Sequence, residues 1–222
     1  QVGSSAASDV YKRQAEGDFK ALKFRMGRER LSDDLATAQA LRDTLDDNIE
    51  LMVDFNQGMD MAEALSRCHA IDDLDLVWIE EPIIYNDFGG YAKLASELKT
   101  PLQIGENFYG VQDMYKALDA KACDLVMPDF MRIGGVTGWL QAAGLAAAAN
   151  IPMSTHLYPE VAAHVMRVTR TAHLLEWQDW AEAVLAEPYQ VVKGELEIPD
   201  RPGLGLDSVS YTHLTLPTIL PV

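Results

Sequence analysis

The chain has 222 residues, 48% of them hydrophobic and 23% charged, which is enough to bury one sizeable core. A formal net charge of −16 argues against nucleic acid and anionic membrane as partners. No long apolar stretch and no positively started signal segment is present, and two cysteines make no disulfide framework. Cys68 and Cys123 read as ordinary buried thiols, and the chain as cytoplasmic.

In chain order, apolar runs alternate with helical patterns. ALKFRM (21–26) reads as a strand and 33–45 as a helix; IELMVDFN (49–56) is followed by a helix over 61–71. LDLVWIEEP (74–82) precedes a helix over 91–98, and PLQIGEN (101–107) one over 111–120. CDLVMPD (123–129) leads into an alanine-rich helix over 135–150, which stops before Pro152. IPMSTHL (151–157) precedes a helix over 160–168, and TAHLLEW (171–177) is the last strand-like run. Short apolar runs between helical patterns are the mark of parallel strands buried on both faces. Seven such units predict a (β/α)-type barrel one unit short of the eight that closure requires. After Trp177, Pro188, Gly194, Pro199, Pro202 and Gly205 suit a C-terminal excursion with short β pieces.

The ends do not share this pattern. Residues 1–14 and 208–222 resemble peptides produced when sequencing adaptors are translated at the edges of gene fragments, so 15–207 is taken as the native barrel domain. A severed gene would account for the expected missing first strand and for any absent N-terminal domain.

Asp54, Glu80 and Glu106 each close an apolar run, and each lies 26 residues after the one before. Polar groups at the C-terminal ends of strands are how this kind of barrel builds an active site. Neighbouring strands lie about 4.8 Å apart, so three carboxylates at one level on consecutive strands are expected to converge on a hard cation. Asp129 and His156 continue the beat at the ends of the next two runs.

ALKFRMG, MVDFNQ, WIEEP, QIGEN, MPDFMRIGGVTGW, IPMSTHL and TAHLLE, in this order, resemble the enolase superfamily, and within it the mandelate racemase group of the mandelate racemase/muconate lactonizing enzyme family. The resemblance implies a (β/α)7β barrel with a separate α+β capping domain, here lacking that domain and the first strand. It also implies one Mg2+ per site, abstraction of a proton α to a carboxylate through an enediolate, a small-molecule carboxylate substrate, and a homo-oligomeric full-length form.

Carried over by position, the resemblance makes Asp54, Glu80 and Glu106 the metal ligands, with Glu80 rather than Glu81 the ligand in the matching WIEEP motif; strand alternation allows only one of that pair to point inward and does not say which. Asn56 shares the face of Asp54 and is expected to touch substrate or a metal ligand. Asp129 and His156 match a dyad in which the carboxylate sets the imidazole tautomer and leaves the second nitrogen to take a proton. Glu176 matches a residue that, if protonated, donates to the developing enediolate. His69, His164 and His173 read as helix-surface, helix and core residues.

The departure is in ALKFRM, where Lys23 and Arg25 stand in place of the family's Lys-x-Lys, both expected to point into the barrel. Arginine stays protonated and is a poor base but a good clamp for a carboxylate. A two-base racemisation is therefore disfavoured against dehydration of an α-hydroxy acid, a sugar acid, to a 2-keto acid by His156, with Lys23 as a further candidate base. The alternatives are a 2-hydroxy acid racemase or epimerase, an inactive barrel fragment, and another metal-dependent barrel lyase such as an aldolase.

Overall fold

The computed structural model describes residues 17–209. The two end segments read as foreign lie outside the described residues, except that Ser208 and Val209 pair with Leu185 and Val184. Five parallel strands form one sheet in sequential order: β1 (Ala21–Arg25), β2 (Glu50–Asp54), β3 (Ile79–Glu80), β4 (Leu102–Ile104) and β5 (Leu125–Val126). Helices α1 (Leu31–Thr44), α2 (Met61–Ile71), α3 (Phe88–Glu97), α4 (Val111–Asp119), α5 (Gly135–Ala149) and α6 (Pro159–Met166) follow the strand-like runs in turn. This is the α/β barrel architecture that the alternating pattern predicts, and it is incomplete.

Local chemistry sets the helix boundaries. Asp60 accepts the Glu63 N–H at 2.9 Å and starts α2, and Asp87 accepts that of Gly90 at 3.0 Å in α3. Pro159 occupies the first turn of α6, where no N–H is needed. Asn150 ends α5 in the left-handed region.

The two faces of the sheet carry different loads. Leu51, Val53, Ile79, Leu102, Ile104 and Val126 pack outward against Leu41, Ile71, Leu94, Met114 and Trp139 in the main core. On the alternate face Met52, Trp78 and Leu125 form a smaller inner cluster with Ala21, Val77 and Leu174. Lys23, Asp54, Glu80 and Gln103 belong to this inner face, which directs them into the barrel.

Residues 151–157 and 171–177, both read as strands, make only single parallel bridges: Val126 to Met153, Asp129 to His156 and Met153 to Ala172. Pro128 and Pro152 supply no N–H, so the ladder breaks at each of them. Hydrogen bonds from Ser154 to the Val126 carbonyl at 2.8 Å and from His173 to that of Met153 at 3.0 Å still carry the strand order onward. Among the described residues, β1 pairs with β2 alone, so the ring stays open between β1 and the 171–177 run. His173, expected in the core, is exposed on that run, where no further strand among the described residues covers it.

After a 3-10 turn (Glu182–Val184), β6 (Gln190–Val192) and β7 (Glu195–Glu197) make an antiparallel hairpin, the short β excursion that the Pro/Gly pattern suggests. Both cysteines are buried and free. Among the described residues, no helix is long and apolar enough to cross a membrane.

Gly138 sits where α5 presses on the loop before it. A Cβ at this position would lie 1.9 Å from the Ile133 carbonyl oxygen. Ala in place of Gly inside a helix ordinarily gains about 1 kcal/mol. Here the backbone contact reverses that sign, and overpacking of this kind costs about 1–3 kcal/mol. Gly138→Ala is therefore expected to lower the melting temperature of the protein in a calorimetric scan, whereas an unchanged or raised value would refute the close contact.

Candidate active site

Three carboxylates meet at the C-terminal mouth of the strands. Ligand oxygens of Asp54, Glu80 and Glu106 all lie within 4.8 Å of one another. Parallel register places Asp54 beside Glu80, but the partner of Glu80 on β4 is Gln103, not Glu106. The single level that the even spacing suggested thus holds for two of the three. Glu106 reaches the others because the chain turns at Gly105, whose φ of +138° is open to glycine and strained for other residues. A Cβ there would also meet the Met127 nitrogen at 3.0 Å.

Each carboxylate is held by specific partners. The Asn56 N–H and side-chain amide clamp both oxygens of Asp54 at 2.7 and 2.6 Å, which orients that group in the way its shared face suggested. Glu80 is fully buried; Lys23 Nζ donates to its Oε1 at 2.9 Å and the Trp78 indole N–H to its Oε2 at 3.0 Å. The Asn107 amide donates to Glu106 Oε1 at 3.1 Å and to Glu81 Oε2 at 2.8 Å.

Crowding of like charges out of water has the expected electrostatic result. Burial pushes the Asp54 carboxyl above the usual carboxylate range, with Glu106 adding to it, although Lys23 and the Asn56 N–H oppose it. Burial likewise raises Glu80, helped by the charge of Asp54 and opposed by Lys23. Oxygen donors so grouped fit a hard divalent cation, whose charge would relieve the strain.

Glu81 corrects the alternation argument. It is as buried as Glu80, because its backbone adopts φ of 36° and leaves the strand conformation. Burial, with the Glu106 charge behind it, pushes its pKa up to about 8.

The Asp129–His156 pair is present, with His156 Nδ1 2.8 Å from Asp129 Oδ2. The other imidazole nitrogen lies 3.3 Å from Glu106 Oε2, so the ring bridges the pair and the carboxylate cluster. Burial alone would raise Asp129, but the hydrogen bond from His156 and the N–H groups of Arg132 and Met131 hold it below the ordinary range.

Lys23 Nζ also lies 2.9 Å from Glu176 Oε1 and so bridges the first and last strand-like runs across the open seam. Burial opposes its charge, yet Glu80, Glu176 and Asp54 together hold its pKa above the ordinary lysine value. Glu176 Oε1 faces Lys23, and its Oε2 accepts the Leu157 N–H at 2.8 Å. Arg25 is exposed at the rim rather than enclosed in the barrel, though its charge still reaches Asp54.

Of the other histidines, His69 lies 3.3 Å from Glu97 on the surface and His164 is 2.9 Å from the Tyr189 hydroxyl. Sequence reasoning missed Trp78, Glu81 as a buried group, Asn107 and Arg132. Trp78 was within reach, since two residues before Glu80 on a strand means the same face.

The fold is an open α/β barrel whose mouth carries a carboxylate cluster suited to a metal ion, and the comparisons give its family. The enolase C-terminal domain-like profile matches residues 5–209, and the chain belongs to that family, in its mandelate racemase/muconate lactonizing enzyme branch. An enolase from alpha pretobacterium bal199 with bound Mg is 60% identical, with a TM-score of 0.91 over 93% of this chain and 58% of its own. A Bradyrhizobium enolase complexed with magnesium and mandelic acid is 44% identical, with a TM-score of 0.86 over 91% of this chain and 57% of its own. The L-talarate/galactarate dehydratase of Salmonella typhimurium is 31% identical over 86% of this chain and 48% of its own length. Cycloisomerases and an epimerase are also among the relatives. The chain spans about half the length of the curated relatives it matches.

Because Asp129 is held below its usual range when folded, its ionised form stabilises the folded state above the unfolded value near pH 4. That contribution is lost as pH falls through the lower folded value. Asp129→Asn is therefore expected to melt below the parent at pH 7, with the gap narrowing as pH drops below about 4. Parallel thermal melts check this, and a gap that widens in acid would contradict it.

Proposed function

We propose that the full-length protein is a Mg2+-dependent acid-sugar dehydratase, removing the proton α to a carboxylate and then the β-hydroxyl to leave a 2-keto acid. The observation that carries this reading is the meeting of Asp54, Glu80 and Glu106 oxygens within 4.8 Å, beside an imidazole backed by Asp129. Asp54, Glu80 and Glu106 would hold the cation, which when bound supplies positive charge for the substrate carboxylate and the enediolate derived from it.

The chain's own residues do the rest. Asp129 accepts a hydrogen bond from His156 Nδ1, which makes Nε2 the nitrogen to accept the α-proton. That proton, carried on His156, is then available to the departing β-hydroxyl, which leaves as water. Asn56 and Trp78 keep the carboxylates of Asp54 and Glu80 aimed into the mouth. Arg25 at the rim is placed to pair with an incoming carboxylate.

Arg25, which stays protonated where the family carries a second Lys, favours dehydration over racemisation, which needs a second proton acceptor on the opposite face. Racemisation of a 2-hydroxy acid is the second reading, and what favours it is the Bradyrhizobium relative complexed with mandelic acid.

A panel of acid sugars incubated with the full-length protein and Mg2+ is expected to give 2-keto acid, detected as a semicarbazone, and none after chelation of the metal. His156→Asn is expected to lower kcat by about 10²–10⁴-fold, the contribution of a general base. In D2O, exchange of the α-proton with inversion and without 2-keto acid would reject the dehydratase reading in favour of the racemase.

A further inference from the structure

We propose that Arg132 is a positioning residue that ties the Asp129–His156 pair to the Glu106 carboxylate through Asn107, so that base and cation site are held in one geometry. The proposal rests on the reading above for the roles of these groups, and on the following contacts for their coupling.

Arg132 lies in the loop between β5 and α5, and it uses both its backbone and its side chain. Its N–H donates to Asp129 Oδ1 at 2.9 Å, beside that of Met131 at 2.8 Å. Its guanidinium Nη1 donates to the Glu106 carbonyl oxygen at 2.8 Å and to the Asn107 Oδ1 at 2.8 Å. Its own carbonyl accepts the N–H of Gly110 at 3.0 Å. The loop after β4, which carries Glu106, and the loop after β5, which backs Asp129, are thus joined at one residue.

Asn107 relays this hold to the carboxylate. With its oxygen on the guanidinium, its NH2 group faces Glu106 Oε1 at 3.1 Å and Glu81 Oε2 at 2.8 Å. The reverse orientation would set its oxygen against two carboxylates and its NH2 against a cation, so Arg132 fixes which way the amide points. Glu81 Oε1 is buried with no hydrogen-bond partner among the described residues, so the side chain is held by Asn107 on Oε2 together with the Gly105 backbone N–H. Loss of Arg132 would free the amide to rotate, and with it the Glu106 carboxylate and the end of the imidazole that rests on Glu106.

Partners that orient metal ligands typically change metal affinity by about 10–100-fold when removed. In the full-length protein, Arg132→Met is expected to weaken Mn2+ binding, read by electron paramagnetic resonance titration, within that range. Arg132→Lys, which restores a donor, should recover most of the loss. Asn107→Leu should weaken Mn2+ to a similar extent, and the double variant should be no worse than either alone, because both act through one chain of contacts.

Unchanged affinity in Arg132→Met, or additive losses in the double variant, would overturn the proposal. Should Arg132→Met fail to fold, Asn107→Leu carries the same test, and parent-like affinity there refutes the relay. Because the titration needs no substrate, tight Mn2+ binding without turnover of any acid would reject the proposed function alone. A parent protein that binds no Mn2+ would overturn both.

Discussion

Everything at the mouth of this barrel depends on one electrostatic problem, the packing of Asp54, Glu80, Glu81 and Glu106 into a space that excludes most water. Taking carboxylates out of water raises the cost of their charge, and setting them side by side raises it further. The protein offsets part of that cost with Lys23, which donates to Glu80 while pairing with Glu176. The Trp78 indole, the Asn56 N–H and the Asn107 amide add donors aimed at individual oxygens. Such an arrangement is costly for stability alone and makes sense as a cavity prepared for a cation.

The fold meets this demand by separating its two faces. Outward-facing Leu51, Val53, Ile79 and Ile104 bind the sheet to the helices, and the inner face is left to carry chemistry. The inner cluster beneath the site is small, with Trp78 serving both as packing and as a hydrogen-bond donor to Glu80. Lys23 spans the seam where β1 and the last strand-like run find no described partner, so one ion pair acts across the open side of the ring and within the site at once. The loops then complete what the strands begin: Glu106, Asp129 and His156 all lie beyond the ends of the named strands and are brought in by turns.

Much of this was legible before any coordinates. Alternating apolar runs and helical patterns specify a parallel α/β barrel, because a strand covered on both faces and a helix covered on one leave different periodicities. Carboxylates recurring at strand ends mark the mouth, and the placement of Asp129 and His156 on successive units anticipates their contact. The limits are equally specific. The even spacing suggested one level for three acids, but Gln103 occupies the place beside Glu80. Alternation allowed only one of Glu80 and Glu81 to point inward, and both are buried. The strand expected over 151–157 is reduced to bridges with the β5 run where Pro128 and Pro152 remove N–H donors, and the 171–177 run keeps one bridge, to Met153.

The amino-acid order by itself determined which residue types stand at which strand ends, since side-chain direction along a strand follows from a two-residue period and needs no knowledge of neighbours. Only the tertiary structure decided where Glu106 points, that Glu81 is enclosed, that Lys23 lies between Glu80 and Glu176, and that Arg132 and Asn107 join two loops. Those outcomes depend on a glycine turn at Gly105 and on contacts between residues far apart in the chain, and no local period encodes either.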